Sequence, residues 1–196
     1  MLTIAQLLEP LYRYRTNEVV VTSMSSVHPW ARLSQHALDL ALPDSTMDDV
    51  ADLALGIALA RPDRDVICLT GDDSGPGTLG SLSTILSAHA VNLTLVLLDV
   101  RPLEVPGRSS VTPSRVNHSA LAEASGFDQV FRVEDAREYA QSVPDMLSLT
   151  GPIFIHAIVQ SGNNTLVTKG HTKDILQLRT SLAESARRVL NALELD

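Results

Sequence analysis

Two adjacent carboxylates occupy a glycine-rich turn between two apolar segments of the sequence. They are Asp72 and Asp73 in "VICLTGDDSGPGTLGSLSTILSAHAVNLTLVLLDV", residues 66–100, and Asp99 ends the second apolar segment. Carboxylate oxygens are hard ligands that suit Mg²⁺ or Ca²⁺, and these ions often bridge to phosphate. Glycines before a helix leave backbone N–H groups open to an anion. The stretch indicates a metal-bound phosphate site or, alternatively, an ordinary capped helix start, because Asp and Ser are common cap and turn residues.

The elements around this turn place the acidic residues at one edge of a sheet. The runs "DVICLT" and "NLTLVLLDV" are continuous apolar stretches typical of buried parallel strands, and "TLGSLSTILSAHA" between them has helical periodicity. In parallel sheets, ligands bind at the carboxyl ends of the strands. The interval from Asp72 to Asp99 is the length of one helical crossover, so we expect the two residues to end neighbouring strands.

The same alternation of helix and strand extends along most of the chain. It predicts one α/β domain over residues 1–196, with a mostly parallel sheet and helices on both faces. The further predicted helices are "TIAQLLEPLYRY", "MDDVADLALGIALA", "NHSALAEASGF" ending at Gly126, and "DAREYAQSVPDMLS"; the further strands are "EVVVTS", "QVFRV" and "GPIFIHAIV".

Three other segments carry separate expectations. The stretch "RPLEVPGRSSVTPSR", residues 101–115, lacks an apolar period and predicts a long, functional loop. A terminal amphipathic helix is expected to carry Ile175, Leu178, Leu182 and Leu190 on its apolar side. His156, inside an apolar strand, is expected to be a core histidine whose hydrogen bonds are satisfied. His28 suits either an exposed loop position or an acid–base role, and we favour the former.

Composition limits the classes of function. The formal net charge of −8 argues against a nucleic-acid-binding protein, which would carry a basic face. The single cysteine, Cys68, excludes an intrachain disulfide and a zinc site built of cysteines, and it suits a reducing cytoplasm. No basic and apolar leader and no run of about 18 apolar residues is present, so we expect neither a signal peptide nor a membrane span.

From Met47 onward the sequence resembles the diphosphate-binding domain of thiamine-diphosphate-dependent enzymes. It is most similar to the small stand-alone version found in sulfopyruvate and phosphonopyruvate decarboxylases. The phrases that carry the resemblance are "ALARPDR", "GDDS" at the family's G-D-G-S turn, "LGSLSTI", "NLTLVLLD" and "GPIFIHAIVQSGN". The resemblance implies thiamine diphosphate and Mg²⁺ as cofactors and a small 2-oxo acid as substrate. It also implies cleavage of the bond next to a ketone, for which the cofactor supplies the electron sink.

The resemblance also implies roles for individual residues. Asp72 takes the family's metal-binding position, and Asp99 is expected to serve as a second metal ligand in place of an asparagine that the family has at position 100. The expected cofactor-binding residues are Met47, which props the cofactor in its bent conformation, and the turn residues Gly71, Asp72, Asp73 and Ser74. No catalytic residue is assigned.

Two departures from the family pattern leave two functions open. Asp73 replaces the glycine of G-D-G, and Val100 replaces the asparagine and cannot coordinate a metal. The chain is interpreted as the β-type subunit of a 2-oxo acid decarboxylase or, alternatively, as a non-catalytic or repurposed member that keeps the fold and has weak or no cofactor binding. The first interpretation is preferred.

The resemblance further implies a partner. The family uses a glutamate from a separate pyrimidine-binding domain to contact the cofactor ring, and 196 residues leave no room for a second α/β domain. We therefore expect a pyrimidine-binding α-type subunit or a homo-oligomer, with no nucleic acid and no membrane as partners.

Overall fold

The computed structural model describes residues 2–42, 50–71, 77–102, 116–161 and 180–194. Strands and helices alternate through most of this part of the chain. The strands are β1 (Leu2–Thr3), β2 (Val19–Thr22), β3 (Asp39–Ala41), β4 (Val66–Gly71), β5 (Leu93–Pro102), β6 (Gln129–Val133) and β7 (Ile153–Ser161). The helices are α1 (Ile4–Tyr14), α2 (Met24–Leu33), α3 (Val50–Ala60), α4 (Gly77–Ala88), α5 (His118–Ser125), α6 (Ala136–Leu147) and α7 (Leu182–Glu194).

All described strands join one seven-stranded sheet in the order β1-β7-β5-β4-β2-β3, with β6 also paired to β7. Every pairing is parallel. The strands β6 and β1 lie one after the other along the same edge of β7, because β6 pairs with residues 153–157 and β1 with residues 159–160. The predicted parallel α/β sheet is therefore confirmed.

Helices cover both faces of the sheet, as the alternating pattern predicts. Side chains of a strand point alternately to the two faces, and β5 shows this in its packing. Leu95 and Leu97 pack in the core beneath α3, α4, α5 and α7, which we call the α4 face. Val96 and Leu98 pack in the core beneath α1, α2 and α6, which we call the α1 face.

Helix ends follow local sequence signals. Thr3 and Gln6 form a reciprocal capping box at the start of α1, and the Asp135 carboxylate caps α6 by accepting from two backbone N–H groups. Gly126 ends α5 with a φ of 107°, a left-handed conformation that glycine adopts without strain. The predicted stop of this helix at Gly126 is confirmed.

The predicted apolar side of the terminal helix is wrong within the described residues. Leu182 and Leu190 are 43% and 58% exposed, whereas Ser185 and Val189 are buried. The buried stripe follows Ser185, Val189 and Leu193, because the small serine lets α7 approach β3 and its hydroxyl accepts a hydrogen bond from the backbone N–H of Ala41. Ile175 and Leu178 lie outside the described residues.

Three elements were not predicted from the sequence. The strands β1 and β3 are too short for a period of two to be recognised, and α2 contains an internal proline, Pro29, and three serines or histidines that weaken its helical pattern. His28 is exposed, as favoured, but it lies on α2 rather than in a loop.

A buried ion pair joins the ends of α1 and α2 to the start of β3. The Asp39 carboxylate, at the start of β3, accepts hydrogen bonds from Arg15 at 2.6 Å, from Trp30 Nε1 at 3.1 Å and from Ser34 Oγ at 2.6 Å. Because buried charges are stable only when paired and hydrogen-bonded, this cluster holds the ends of α1 and α2 against the amino edge of the sheet.

No helix in the described part of the chain combines the length and the apolar character needed to cross a membrane.

Candidate functional site

The carboxyl ends of β4 and β5 meet at one edge of the sheet. The register between them ends with Gly71 opposite Leu98. Asp99 directly follows Leu98 on β5 and so lies at this edge; Asp72 follows Gly71 in the sequence and is outside the described residues. Beyond that point, β5 continues beside β7 as far as the pair Pro102 and Ser161.

Asp99 is buried at this edge and makes two charge-assisted contacts. Its Oδ2 accepts from Arg101 Nη2 and from His156 Nε2, each at 3.1 Å. Burial raises the pKa of Asp99, but the hydrogen bonds from His156 and Arg101 outweigh this effect and leave the pKa below its ordinary value. Asp99 is therefore a carboxylate at neutral pH.

The charge of Asp99 fixes the orientation of the neighbouring imidazole. A carboxylate only accepts hydrogen bonds, so Nε2 of His156 carries the proton that points at Asp99. Nδ1 of the same ring is in hydrogen-bond contact with the Ser119 hydroxyl, 2.9 Å away. The side chain of His156 is buried, and both ring nitrogens have partners. The predicted core histidine is confirmed.

Ser119, His156, Asp99 and Arg101 form a chain of contacts that we call the Asp99 network. Ser119 lies in the first turn of α5, where the Asn117 side chain caps the helix. The order of residues is superficially that of a serine-hydrolase triad, but the ring is reversed, with serine on Nδ1 and aspartate on Nε2. Ser119 is also buried. The network is therefore suited to holding side chains in place rather than to nucleophilic attack.

Of the predicted cofactor and metal residues, the structure describes Gly71 and Asp99. Gly71 is a buried residue at the end of β4, and Asp99 is the central carboxylate of the Asp99 network. The other predicted site residues, Met47, Asp72, Asp73 and Ser74, lie outside the described residues. Within the described ranges, no cluster of three or more His, Cys, Asp or Glu side chains is arranged to hold a metal. Of the two predicted metal ligands, Asp72 and Asp99, the structure therefore describes Asp99.

Position 100 differs from Asp99 in direction. Strand alternation sends the side chain of Val100 toward the α1 face, where it is 40% exposed, whereas Asp99 points to the α4 face. An aspartate at position 99 therefore approaches a ligand from another side than an asparagine at position 100 would. The role of Asp99 as a metal ligand stays a prediction.

Sequence reasoning did not identify Arg101, His156 and Ser119 as neighbours of Asp99. The two-residue period of a strand was a usable signal for Arg101, because it places residues 99 and 101 on the same face. His156 needed the pairing of β5 with β7, in which Leu97 lies opposite His156. Sequence does not reveal that register.

The fold and the acidic carboxyl edge define a class: α/β proteins with a parallel sheet that bind a ligand where the strands end. The chain belongs to the thiamine pyrophosphate enzyme family, since residues 26–157, more than half of its length, match the family's C-terminal TPP binding domain.

A curated relative is sulfopyruvate decarboxylase subunit beta of Methanothermobacter thermautotrophicus. It is 34% identical over 118 residues, which make up 60% of this chain and 60% of the relative. The match therefore spans less than two thirds of that relative's length.

Two solved enzyme structures share the fold of this chain. One, from Mycobacterium smegmatis and described as thiamin diphosphate-dependent, has a TM-score of 0.63 and 19% identity, with coverage of 81% of this chain and 32% of that one. Benzoylformate decarboxylase from Polynucleobacter necessarius has a TM-score of 0.59 and 18% identity, with coverage of 80% and 32%. At these identities the likeness establishes the fold, which agrees with the family assignment.

Proposed function

We propose that this chain is the diphosphate-binding subunit of a thiamine-diphosphate-dependent 2-oxo acid decarboxylase. The observation that carries the proposal is the register that ends β4 at Gly71 opposite Leu98, within a chain that belongs to the TPP enzyme family. The relative at 34% identity, which is itself named a decarboxylase subunit, supports the reaction class.

The described residues fit part of a cofactor site. Asp99 is a charged, buried carboxylate at the carboxyl edge, and both hydrogen bonds that the described residues make to it fall on Oδ2. These contacts leave Oδ1 as the oxygen for a cation, and carboxylate oxygen is the donor that Mg²⁺ prefers. We propose Asp72 as the principal metal ligand and Asp99 as the second.

The remaining cofactor contacts are assigned from the resemblance. Met47 would support the bent cofactor, while Gly71, Asp73 and Ser74 would line the diphosphate. When bound, thiamine diphosphate supplies the ylid and electron sink for cleavage beside a ketone. The part of this chain is to hold the diphosphate, and the low pKa of Asp99 keeps a negative charge available for the metal across the neutral pH range.

The proposal requires a second chain. The ring-contacting glutamate of the family lies in a pyrimidine-binding domain, which we expect in an α-type subunit or in another polypeptide of the same assembly. The curated relative is likewise named as one subunit of its enzyme. We further propose a small 2-oxo acid as substrate and, given the single buried cysteine, a reducing cytoplasmic setting.

A second candidate function is a repurposed family member without catalysis. The observation that favours it is Val100, which places an apolar, half-exposed side chain where the family has a metal-binding amide. Asp73 adds a negative charge next to the expected diphosphate. Such a protein would keep its fold and pairing surface and bind the cofactor weakly or not at all.

Calorimetric titration with thiamine diphosphate separates the two candidates. The proposal expects binding that needs Mg²⁺ and is abolished by a chelator, and CO₂ release from a 2-oxo acid once a pyrimidine-binding subunit is added. A chain that ignores thiamine diphosphate at millimolar Mg²⁺, alone and with that subunit, would rule out the decarboxylase and favour the repurposed member.

A further inference from the structure

The sequence predicts an excess of negative charge at the carboxyl edge of β4 and β5. The sequence carries Asp72 and Asp73 directly after Gly71, and Asp99 lies at the end of β5. A diphosphate brought to this edge adds further negative charge, which must be neutralised by a metal or a base. Among the described residues that end these two strands, 69–71 and 98–102, Arg101 is the single cationic side chain.

Arg101 lies on the α4 face of the sheet, the same face as Asp99. Residues 95, 97, 99 and 101 of β5 point in the same direction by strand alternation, and Leu95 and Leu97 pack with Leu82 and Ile85 of α4. The helix α4 follows residues 72–76 in the sequence, and the first N–H groups of a helix are natural anion donors. Arg101 and the start of α4 therefore share one face and one edge, on adjacent strands.

The guanidinium of Arg101 is held in place and still has donors available. Its side chain is 42% exposed, and Nη2 donates to Asp99 Oδ2. Its Nε is buried and has no acceptor among the described residues. A guanidinium has five N–H donors in a rigid plane, so one ion pair with Asp99 leaves several for a ligand. His156 and Ser119 in turn fix Asp99.

We propose that Arg101 binds a diphosphate oxygen of the cofactor, and that Asp99, His156 and Ser119 are positioning residues that hold its guanidinium at the edge. The planar fork of arginine suits phosphate oxygens. The inference rests on the proposed function, since it assigns a contact of the same site. It also explains how the site tolerates the additional carboxylate of Asp73.

Calorimetry on the full chain in Mg²⁺ tests the contact with inorganic pyrophosphate and with thiamine diphosphate. We expect Arg101→Gln to weaken the binding of both ligands by about tenfold or more, which is the effect of losing one charge-assisted hydrogen bond. Thiamine, which has no phosphate, is the control ligand, and its affinity should be the same for the unaltered chain and for Arg101→Gln. Arg132→Gln is the matched variant, because Arg132 also pairs with a carboxylate two residues away, Glu134, but the pair is exposed and lies at the end of β6.

Further variants separate recognition from folding. Arg101→Lys keeps the positive charge but loses the planar guanidinium, so it should bind more tightly than Arg101→Gln and less tightly than the unaltered chain. A thermal melt checks that each variant is folded. For the positioning role, His156→Leu should weaken pyrophosphate binding in the unaltered chain and have no further effect in the Arg101→Gln chain. Additive losses would mean that His156 acts independently of Arg101 and would overturn the positioning role.

The outcomes distinguish this inference from the proposed function. If thiamine diphosphate binds in a Mg²⁺-dependent manner and Arg101→Gln binds it equally well, the inference is wrong and the proposed function stands. If Arg132→Gln weakens binding as much as Arg101→Gln does, the effect is general electrostatics and the inference also fails. If the unaltered chain binds neither pyrophosphate nor thiamine diphosphate, alone or with a pyrimidine-binding subunit, both proposals fail together.

Discussion

Two buried carboxylates, Asp39 and Asp99, lie at opposite ends of the strands and differ in how many of their oxygens accept hydrogen bonds from the described residues. Asp39 accepts on both oxygens, from Arg15 and Trp30 on Oδ1 and from Ser34 and the backbone N–H of residue 36 on Oδ2. The described contacts of Asp99 fall on Oδ2. Asp39 is thus committed to structure, whereas Asp99, at the carboxyl edge, retains an oxygen suited to a ligand.

The two turn aspartates are expected to have opposite effects on cofactor binding. Asp72 fills the family's metal position, so Asp72→Ala should weaken thiamine diphosphate binding in Mg²⁺ by at least about tenfold, the lower bound for disturbing a metal's protein ligands. Asp73→Gly removes a negative charge beside the diphosphate and should tighten binding. Calorimetric titration of both variants measures this, and equal weakening by the two would show that their roles are misassigned.

Restoring an amide at position 100 tests whether its loss limits metal binding. Val100→Asn is expected to strengthen Mg²⁺-dependent binding of thiamine diphosphate by about 1–2 kcal/mol, the value of one charge-assisted contact. Because Val100 is 40% exposed, the change should cost little stability. Val91→Asn, at a 54% exposed valine just before β5, is the matched control. Unchanged affinity in Val100→Asn would mean that this amide is not what the site lacks.

At the scale of elements, the sequence predicts those segments whose periodicity is long and uninterrupted. The βαβ unit from β4 through α4 to β5 agrees with expectation, as do α1, α5, β6 and α6. Prediction fails where an element is too short to show a period, as in β1 and β3, and where proline and serines interrupt one, as in α2. The apolar side of α7 was misjudged because a buried serine, Ser185, takes a core position.

The candidate site was predictable to the extent that it follows from chain order. Strand ends and crossover length place Asp99 near the turn, and the register of β4 and β5 agrees with that placement. Asp99 and His156 are in contact although they are 57 positions apart in the sequence. The position of Ser119 depends on how α5 packs. These are tertiary facts that local periodicity does not encode.

Two glycines give opposite expectations for the same substitution. Gly126 ends α5 at a φ of 107°, and a Cβ there would meet only Leu86 Cδ1 at 3.8 Å, so the cost of Gly126→Ala is backbone strain rather than a clash. We expect a loss of about 1–2 kcal/mol in the free energy of unfolding. Gly56, inside α3 with nothing within 4 Å of its Cβ position, should gain about 0.5–1 kcal/mol as alanine. Urea denaturation measures both, and stabilisation by Gly126→Ala would contradict the observed helix end.

At the scale of the whole molecule, the chain matches only part of the length of its relatives. The matched region spans 60% of the curated relative and 32% of each solved enzyme chain. Leu53, in α3, is an apolar side chain that is 37% exposed. We expect assembly with a partner to bury it.

The final prediction is that the chain does not work as a monomer. We expect a partner to cover Met47 and residues 73–77 and 109–115, most of which lie outside the described residues, because the resemblance implies a pyrimidine-contacting glutamate from a second domain. Obligate interfaces of this kind bury about 2,000 Å² or more. Light scattering on the purified chain, and then with a co-expressed pyrimidine-binding subunit, should show a stable complex. A strict monomer that decarboxylates a 2-oxo acid without a partner would contradict the two-subunit proposal. A homo-oligomer that does not bind thiamine diphosphate would favour the repurposed member.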